Sequence, residues 1–168
     1  MVQMAVRSME SFGVRIAMAL VAMAMLSATG LLATTVHANE RVISDPNHQI
    51  ALFGYDPVAY LADGQPRLGG SEFEVIYERL VWRFANEGNM LAFADDPQRF
   101  VPAYGGHDAS MIARGAAAVG QPTVWWAFGG RVFLFRNAAS RYAFLLEAAA
   151  QIRLADTAWP EVRETLSP

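Results

Sequence analysis

The stretch Val124-Trp125-Trp126-Ala127-Phe128-Gly129-Gly130-Arg131-Val132-Phe133-Leu134-Phe135 (residues 124–135) decides the fold class. Two runs of aromatic and β-branched residues flank a pair of glycines, which suit the two-residue turn of a β-hairpin because its central residues need positive φ. This turn pairs Trp126 with Phe133 and Val124 with Phe135. Since both faces of the hairpin are apolar, we expect protein to cover it on both sides.

A second hairpin is predicted upstream, over residues 72–84. With Glu78-Arg79 as a two-residue loop, the apolar side chains alternate onto one face, and Glu74 lies opposite Arg83 as a cross-strand charge pair. Glu-Arg is an unfavourable sequence for such a turn, so a longer loop is the alternative.

Short helices are predicted around the hairpins. Their starts are marked by capping side chains, in two cases followed by proline at the first helical position: Asp56-Pro57, Asn86, Asp96-Pro97 and Asn137. Beyond Asn137 the spacing predicts a helix that ends at Trp159-Pro160, with one buried stripe of Tyr142, Leu145, Leu146, Ala149 and Ile152. The sequence thus predicts an α+β fold: two antiparallel β-hairpins packed with several short helices and a longer C-terminal helix.

The first 38 residues have the features of a secretory signal peptide. Arg7 and Arg15 precede an uncharged apolar run, and Val36-His37-Ala38 places small or apolar residues at a cleavage site. We therefore expect cleavage near Ala38, a single domain over residues 39–168, and a periplasmic or secreted location. The alternative is an uncleaved anchor that leaves the domain facing the periplasm, because no charge occurs from residue 16 to residue 36.

Composition excludes several classes of function. The chain has no cysteine, which rules out disulfides, thiolate nucleophiles and Cys-based metal sites. All 13 basic residues are arginine, so Schiff-base chemistry on a lysine is also excluded. The formal net charge is −3 and no basic stripe is present, which argues against a nucleic-acid partner.

Several motifs together resemble the YHS domain family in its exported, stand-alone form. In chain order they are Gly54-Tyr55-Asp56-Pro57-Val58-Ala59-Tyr60, Trp82-Arg83-Phe84-Ala85, Phe93-Ala94-Asp95-Asp96-Pro97, Phe100-Val101-Pro102-Ala103-Tyr104-Gly105-Gly106, Trp125, and Arg131-Val132-Phe133-Leu134-Phe135-Arg136-Asn137. The resemblance covers about residues 50–160 and implies a small α+β domain without a settled biochemical activity. Metal handling occurs in some contexts within the family, often through a cysteine after Tyr-Gly-Gly. In this chain His107-Asp108 stands there instead.

The function predicted is that of a non-enzymatic accessory module that binds a small ligand or a partner. Its pocket is expected between the turn at Tyr55 and Asp56 and the loop from residue 104 to residue 108. The candidate ligand-binding residues are Tyr55, Asp56, Tyr104, His107, Asp108 and Trp126. No residue is predicted to be catalytic, and nothing in the sequence requires an enzyme.

The alternative function is metal binding, with a divalent cation held by His107 and Asp108 and with contributions from His48 and Asp56. The competing interpretation makes Asp56 and Asp108 helix caps and the aromatic residues core. Convergence of the ligands on one point would favour the metal, whereas capping by Asp108 would argue against it. The triplets Gly54-Tyr55-Asp56 and Gly106-His107-Asp108 echo each other, but three residues are too few to indicate a repeat.

Overall fold

The structure is a computed structural model that describes residues 42–45 and 47–166. The predicted signal peptide or anchor of residues 1–38, and its cleavage near Ala38, lie outside the described residues. Within the described ranges, no helix is long and apolar enough to cross a membrane.

The predicted α+β class is confirmed, with six helices and two sheets in the part of the chain that the structure describes. The first sheet has the order β1-β2-β4-β3, and its strands are β1 Ser44–Asp45, β2 Ile50–Ala51, β3 Gly70–Tyr77 and β4 Leu80–Phe84. The second is the antiparallel hairpin of β5 Gln121–Phe128 and β6 Arg131–Phe135. The helices are α1 Ala59–Ala62, α2 Glu87–Asp95, α3 Pro97–Phe100, α4 Ala109–Ile112, α5 Ala138–Leu146 and α6 Ala148–Thr165. Two 3-10 segments, Leu52–Gly54 and Ala103–Gly106, precede α1 and α4.

The first hairpin has the predicted register from its turn as far as Glu74 and Arg83, beyond which the register shifts and Gly70 lies opposite Phe84. Glu78 (φ 51°) and Arg79 (φ 65°) form a two-residue turn, so the longer loop is wrong. Glu74 pairs with Arg83, and the Arg83 Nε donates to the Glu74 Oε1 at 2.9 Å. This cross-strand ion pair and the alternating apolar face outweigh the poor turn sequence.

The second hairpin turns at Gly129 and Gly130 and pairs Trp126 with Phe133, both as predicted. The other predicted pair is wrong, because the register shifts between Gln121 and Trp125 and Gln121 takes the place opposite Phe135. A bulge of this kind inserts residues into one strand only, which a register counted back from the turn cannot anticipate.

Two hydrophobic cores lie on opposite faces of this second hairpin. Alternate side chains of β6 enter different cores, since successive residues of a strand point to opposite faces: Val132 and Leu134 belong to the first core, and Phe133 and Phe135 to the second. Trp125 packs against the first core and Trp126 against the second, which confirms the expected cover on both sides. The largest other members are Trp82, Tyr60 and Phe84 in the first core and Tyr104, Phe144 and Trp159 in the second.

The predicted stripe after Asn137 is wrong. Glu147 leaves the helical region (φ −136°, ψ 46°) and divides the segment into α5 and α6, and Pro160 lies inside α6 rather than ending it. The break rotates the two helices out of a common phase. Consequently Phe144 is the buried residue of α5, while Tyr142 and Leu146 are 68% and 67% exposed.

The described residues contain an internal structural repeat. The similarity between the triplets Gly54-Tyr55-Asp56 and Gly106-His107-Asp108 was too short to establish it from the sequence. The first repeat spans residues 52–95 and the second repeat residues 104–146. From the hairpins onward, every element begins 51 residues after its counterpart: β5 after β3, β6 after β4, and α5 after α2. The strand register shifts at the same place in both hairpins. Asn86 and Asn137, also 51 residues apart, each cap a nine-residue helix.

The repeat extends to unusual backbone conformations. Leu52, Phe53 and Gly54 have φ of 51°, 54° and 85°, and the corresponding residues Tyr104, Gly105 and Gly106 have φ of 57°, 62° and 82°. Three consecutive left-handed residues are costly outside glycine. Their occurrence in both repeats indicates that this turn is a shared feature of the fold and not a device of one site.

Candidate functional site

Asp56 and Asp108 occupy equivalent places in the two repeats, and both are fully buried. One Asp56 oxygen accepts from the N–H of Val58 at 2.8 Å and of Ala59 at 3.3 Å. The other accepts from the N–H of Ala85 at 2.8 Å and the Asn89 amide at 2.7 Å. This carboxylate thereby joins the turn before α1 to the end of β4.

Asp108 makes the same connection in the second repeat. Its Oδ1 accepts from the Ser110 N–H at 2.8 Å, the Ser110 hydroxyl at 2.7 Å and the Met111 N–H at 3.2 Å. Its Oδ2 accepts from the Arg136 N–H at 2.9 Å, where β6 ends. The capping interpretation is therefore confirmed for Asp108, the N-cap of α4. The N-cap of α1 is Val58, so Asp56 caps the turn before that helix and not the helix itself.

The arrangement gives no support to the metal alternative. Both oxygens of Asp108 already accept hydrogen bonds inside the protein, and a cation would have to displace those donors. His48 lies in the turn between β1 and β2, where its Nδ1 is 3.4 Å from the Asp45 carboxylate and its side chain is 69% exposed. Among the described residues, no three His, Cys, Asp or Glu side chains are grouped to hold an ion.

The place where the pocket was expected is occupied by protein. Ile43 is buried between the two left-handed turns: its N–H donates to the Gly105 carbonyl at 2.8 Å, and its carbonyl accepts from the Leu52 N–H at 2.8 Å. A ligand there would have to displace it. Tyr55 forms a bridge with Leu68 and packs against the first core, and Trp126 stacks on Phe128 with centroids 5.1 Å apart.

A cavity of about 290 Å³ lies instead on the other side of Tyr104, where α3 and the second 3-10 segment meet β6 and α6. Its lining combines cationic, anionic, amide and aromatic groups with three small or branched apolar residues: Gln98, Arg99, Val101, Pro102, Ala103, Tyr104, Arg131, Asp156 and Trp159. Of the predicted site residues, only Tyr104 lines it.

A three-residue polar network crosses the cavity wall. The Tyr104 hydroxyl donates to the Asp156 Oδ1 at 2.8 Å, and Arg131 donates to the same carboxylate through NH2 at 2.9 Å and NH1 at 3.2 Å. The Arg131 guanidinium also lies over the rings of Tyr104 and Phe133, at 5.4 and 5.0 Å from their centroids. These contacts attach α6 to β6 and leave the guanidinium at the cavity surface.

The network shifts the acidity of its members. Burial, reinforced by the hydrogen bond to Asp156, raises the pKa of Tyr104. Burial alone would raise the pKa of Asp156, but the hydrogen bonds from Arg131 and Tyr104 outweigh it and lower that pKa. At neutral pH the wall thus carries a carboxylate, a guanidinium and a protonated phenol.

Trp159 lines this cavity with its ring, whereas its indole N–H is buried out of reach of the cavity. It is 8% exposed, and its indole Nε1 makes no hydrogen bond within the described part of the chain. His107 packs against Trp159 with ring centroids 5.9 Å apart, and its buried Nδ1 is likewise unpartnered there. Burial lowers the pKa of His107, so the imidazole is neutral at pH 7. Buried polar groups are normally hydrogen-bonded, so two neighbouring exceptions are informative.

Arg99 supplies a second cation at the cavity. Its guanidinium lies 5.5 Å from the centroid of its neighbour Phe100, and no described carboxylate pairs with it. Sequence reasoning missed Arg99, Arg131, Asp156 and Trp159. Asp156 lies 25 residues after Arg131 on a separate element, so no spacing rule relates them. The available signal was Tyr104 of the Tyr-Gly-Gly motif, which was predicted to contact a ligand but in a pocket on its other side.

Comparison of the chain with family models, curated proteins and solved structures finds no match. The likeness to the YHS domain family therefore stays a prediction from the motifs.

Proposed function

We propose that this chain is a non-enzymatic, exported binding module of the YHS type, and that its ligand occupies the cavity beside Tyr104 and Trp159. The observation that carries the proposal is the presence of two guanidinium groups on the cavity wall: Arg131 is paired with Asp156, whereas the Arg99 guanidinium has no carboxylate partner among the described residues. A bound ligand that offers an acceptor can pair with Arg99.

The size and chemistry of the cavity support a small polar ligand. Its volume of about 290 Å³ is at the lower end of the range for small-molecule sites. Five of the nine lining residues carry a charged, amide or hydroxyl group, so the wall is more polar than that of most small-molecule sites. Because Asp156 already accepts three hydrogen bonds, the groups left to contact a ligand are mainly donors.

The test is native and denaturing mass spectrometry of protein purified from the envelope of its host without extensive dialysis. We expect the native mass to exceed the denatured mass by a small molecule. Trp159→Phe replaces the indole of the cavity wall by a smaller ring, and Ala103→Leu reduces the cavity volume; both change the shape of the cavity and should lower the occupancy. Trp126→Phe, a matched change away from the cavity, should leave it unchanged. The denatured mass also reports whether the chain begins at Asn39.

Two results would overturn the proposal. One is a native mass without an occupant, accompanied by no binding of small molecules to the purified protein. The other is an occupant that Trp159→Phe and Ala103→Leu retain as well as the parent chain does.

A further inference from the structure

We infer that the outer face of α5 docks on the surface of a lipid bilayer that carries anionic lipid. This docking surface is separate from the cavity and does not depend on its ligand. Three features of the described residues lead to it: an exposed apolar helix face, the contrast with the equivalent face in the first repeat, and the positive charge around it.

The outer face of α5 is apolar along the whole helix. At 3.6 residues per turn, one side of the helix carries five exposed residues, which are Ala138, Ala139, Tyr142, Leu145 and Leu146. Phe144 lies on the opposite side and is buried in the second core. The helix is therefore attached to the protein through one side, and the other side presents apolar surface to the solvent.

The first repeat shows that the fold itself does not require this face to be apolar. Helix α2 corresponds to α5 with a shift of 51 residues and likewise buries one phenylalanine. Its outer face has carboxylates at Glu87 and Asp95, where α5 has Ala138 and Leu146. The apolar outer face is thus specific to the second repeat, and a contiguous exposed apolar patch marks an interaction site.

The charge around this face is positive, in contrast to the rest of the protein. Residues 136–154 carry Arg136, Arg141, Arg153 and Glu147, whereas the rest of the chain has ten arginines against fifteen carboxylates. The Arg136 Nε lies 3.8 Å from the buried Asp108 carboxylate. Arg141 donates to a backbone carbonyl of β5 at 3.3 Å, and neither Arg141 nor Arg153 pairs with a carboxylate among the described residues. Helices α5 and α6 thus each present a cation that can approach an anionic surface.

A bilayer fits these features better than a second copy of the chain does. The nine residues of α5 extend over about 14 Å. A stable protein interface buries about 800 Å² on each partner, which one face of so short a helix does not provide. A two-fold dimer through this face would also bring the arginines of both copies together. Arginine beside exposed leucine and tyrosine is instead the composition of a helix that lies in the membrane interface.

The N-terminal sequence also predicts that the chain meets a membrane. Residues 1–38 have the features of a signal peptide, with an uncleaved anchor as the alternative, and both bring the chain to a bilayer. The docking inferred for α5 is interfacial, because a helix needs about 20 residues to span a bilayer and α5 has nine.

The experiment uses the absence of cysteine in the chain to place a single fluorescent label on the protein recovered from its host. Ala139→Cys on α5 and Ala94→Cys on α2, two exposed alanines of the outer faces, are each labelled with the polarity-sensitive dye NBD. We expect vesicles of phosphatidylcholine with about 30% phosphatidylglycerol to shift the emission at residue 139 to shorter wavelength. The label at residue 94 should not respond, and neither label should respond to phosphatidylcholine alone. Each label reports on its own surroundings, so the comparison holds whether or not residues 1–38 are retained.

Variants of the protein labelled at residue 139 test which residues dock. Leu146→Asp gives α5 the residue that α2 has at Asp95, and it should weaken the response to vesicles at least about tenfold through loss of a buried leucine. Arg153→Gln should weaken it about fivefold through loss of one cation near the surface. Leu91→Asp, which changes an exposed leucine on α2, is the matched control and should have no effect. Urea unfolding shows whether each variant keeps the parent fold.

Several outcomes would overturn the inference. An equal response at residues 139 and 94, or a response that folded Leu146→Asp retains in full, removes the α5 face as the docking surface. An equal response to vesicles with and without phosphatidylglycerol removes the anionic lipid. A shift at residue 139 that needs no lipid and grows with protein concentration assigns the face to a second copy. No shift under any of these conditions removes the bilayer as the occupant. None of these results bears on the occupancy of the cavity.

Discussion

Asparagine substitution of the two buried aspartates tests the idea that they are equivalent structural caps. In Asp108→Asn the amide oxygen can still accept from Ser110 and Met111, but the new NH₂ group faces the Arg136 N–H, which donates at 2.9 Å in the parent chain. Two donors then confront each other at a side chain that is fully buried in the parent protein.

Asp56→Asn creates the same conflict with the N–H of Ala85, which donates at 2.8 Å. The Asn89 amide also donates to this oxygen, at 2.7 Å, but it can rotate and present its own oxygen to the new NH₂. One backbone N–H therefore loses its acceptor in each repeat. Because a hydrogen bond to a buried charge contributes about 1.5–3 kcal/mol, each substitution should destabilise the protein by about that amount.

The assay is urea unfolding at pH 7 followed by tryptophan fluorescence, with free energies obtained by linear extrapolation. The expected loss reduces the folded-to-unfolded ratio roughly ten- to a hundredfold, and it should be similar for the two variants. Asp95→Asn, an exposed position in the last turn of α2, is the control and should change stability by less than about 0.5 kcal/mol. A loss below about 0.5 kcal/mol in either cap variant would refute the reasoning.

Two further predictions concern close packing and pH. Gly69→Ala should destabilise the protein by about 1–3 kcal/mol, because the added methyl carbon would lie 2.3 Å from the backbone carbonyl carbon of Arg83. Gly70→Ala is the control: its added methyl carbon would have no neighbour closer than 3.9 Å, so the same urea unfolding measurement should show no change in stability. Because burial lowers the pKa of His107 in the folded state, the unfolded chain takes up a proton that the folded protein resists as pH falls below about 6.5. Stability should therefore decrease from pH 7 towards pH 5, and His107→Asn should reduce this dependence. Equal slopes in the variant and the parent protein would contradict the assignment.

The hairpins and helix starts could be predicted because they depend on local chemistry. The Gly129-Gly130 turn, the Glu74 and Arg83 pair and the Asn86 cap each rest on residues close in sequence or fixed in register. Asp108 was interpreted correctly as a helix cap, whereas Asp56 caps the turn before α1. The second partners of Asp56 and Asp108 lie 29 and 28 residues away, and those contacts show that the aspartates also hold the hairpins.

The cavity could not be predicted because tertiary packing creates it. Arg131 ends the turn of a hairpin and Asp156 lies on a helix, and only the break at Glu147 gives that helix the direction that brings the two together. The same break made the apolar stripe wrong: a single helical phase was extended through Glu147, and exposed Tyr142 and Leu146 were placed in the core. The internal repeat could not be predicted from the sequence, because the two repeats share their backbone geometry and capping residues but differ in most of their other side chains.

The shared hairpin has a consequence for how the protein can come apart. Repeated units in solenoids each keep their own interface, so that one can open while its neighbour persists. In this protein alternate residues of β6 belong to different cores, with Leu134 on one side and Phe133 on the other. Loss of either core exposes apolar surface on a strand that the other core needs. Opening is therefore expected to be a single cooperative event, and a fragment cut between the repeats would leave the first without one wall of its interior.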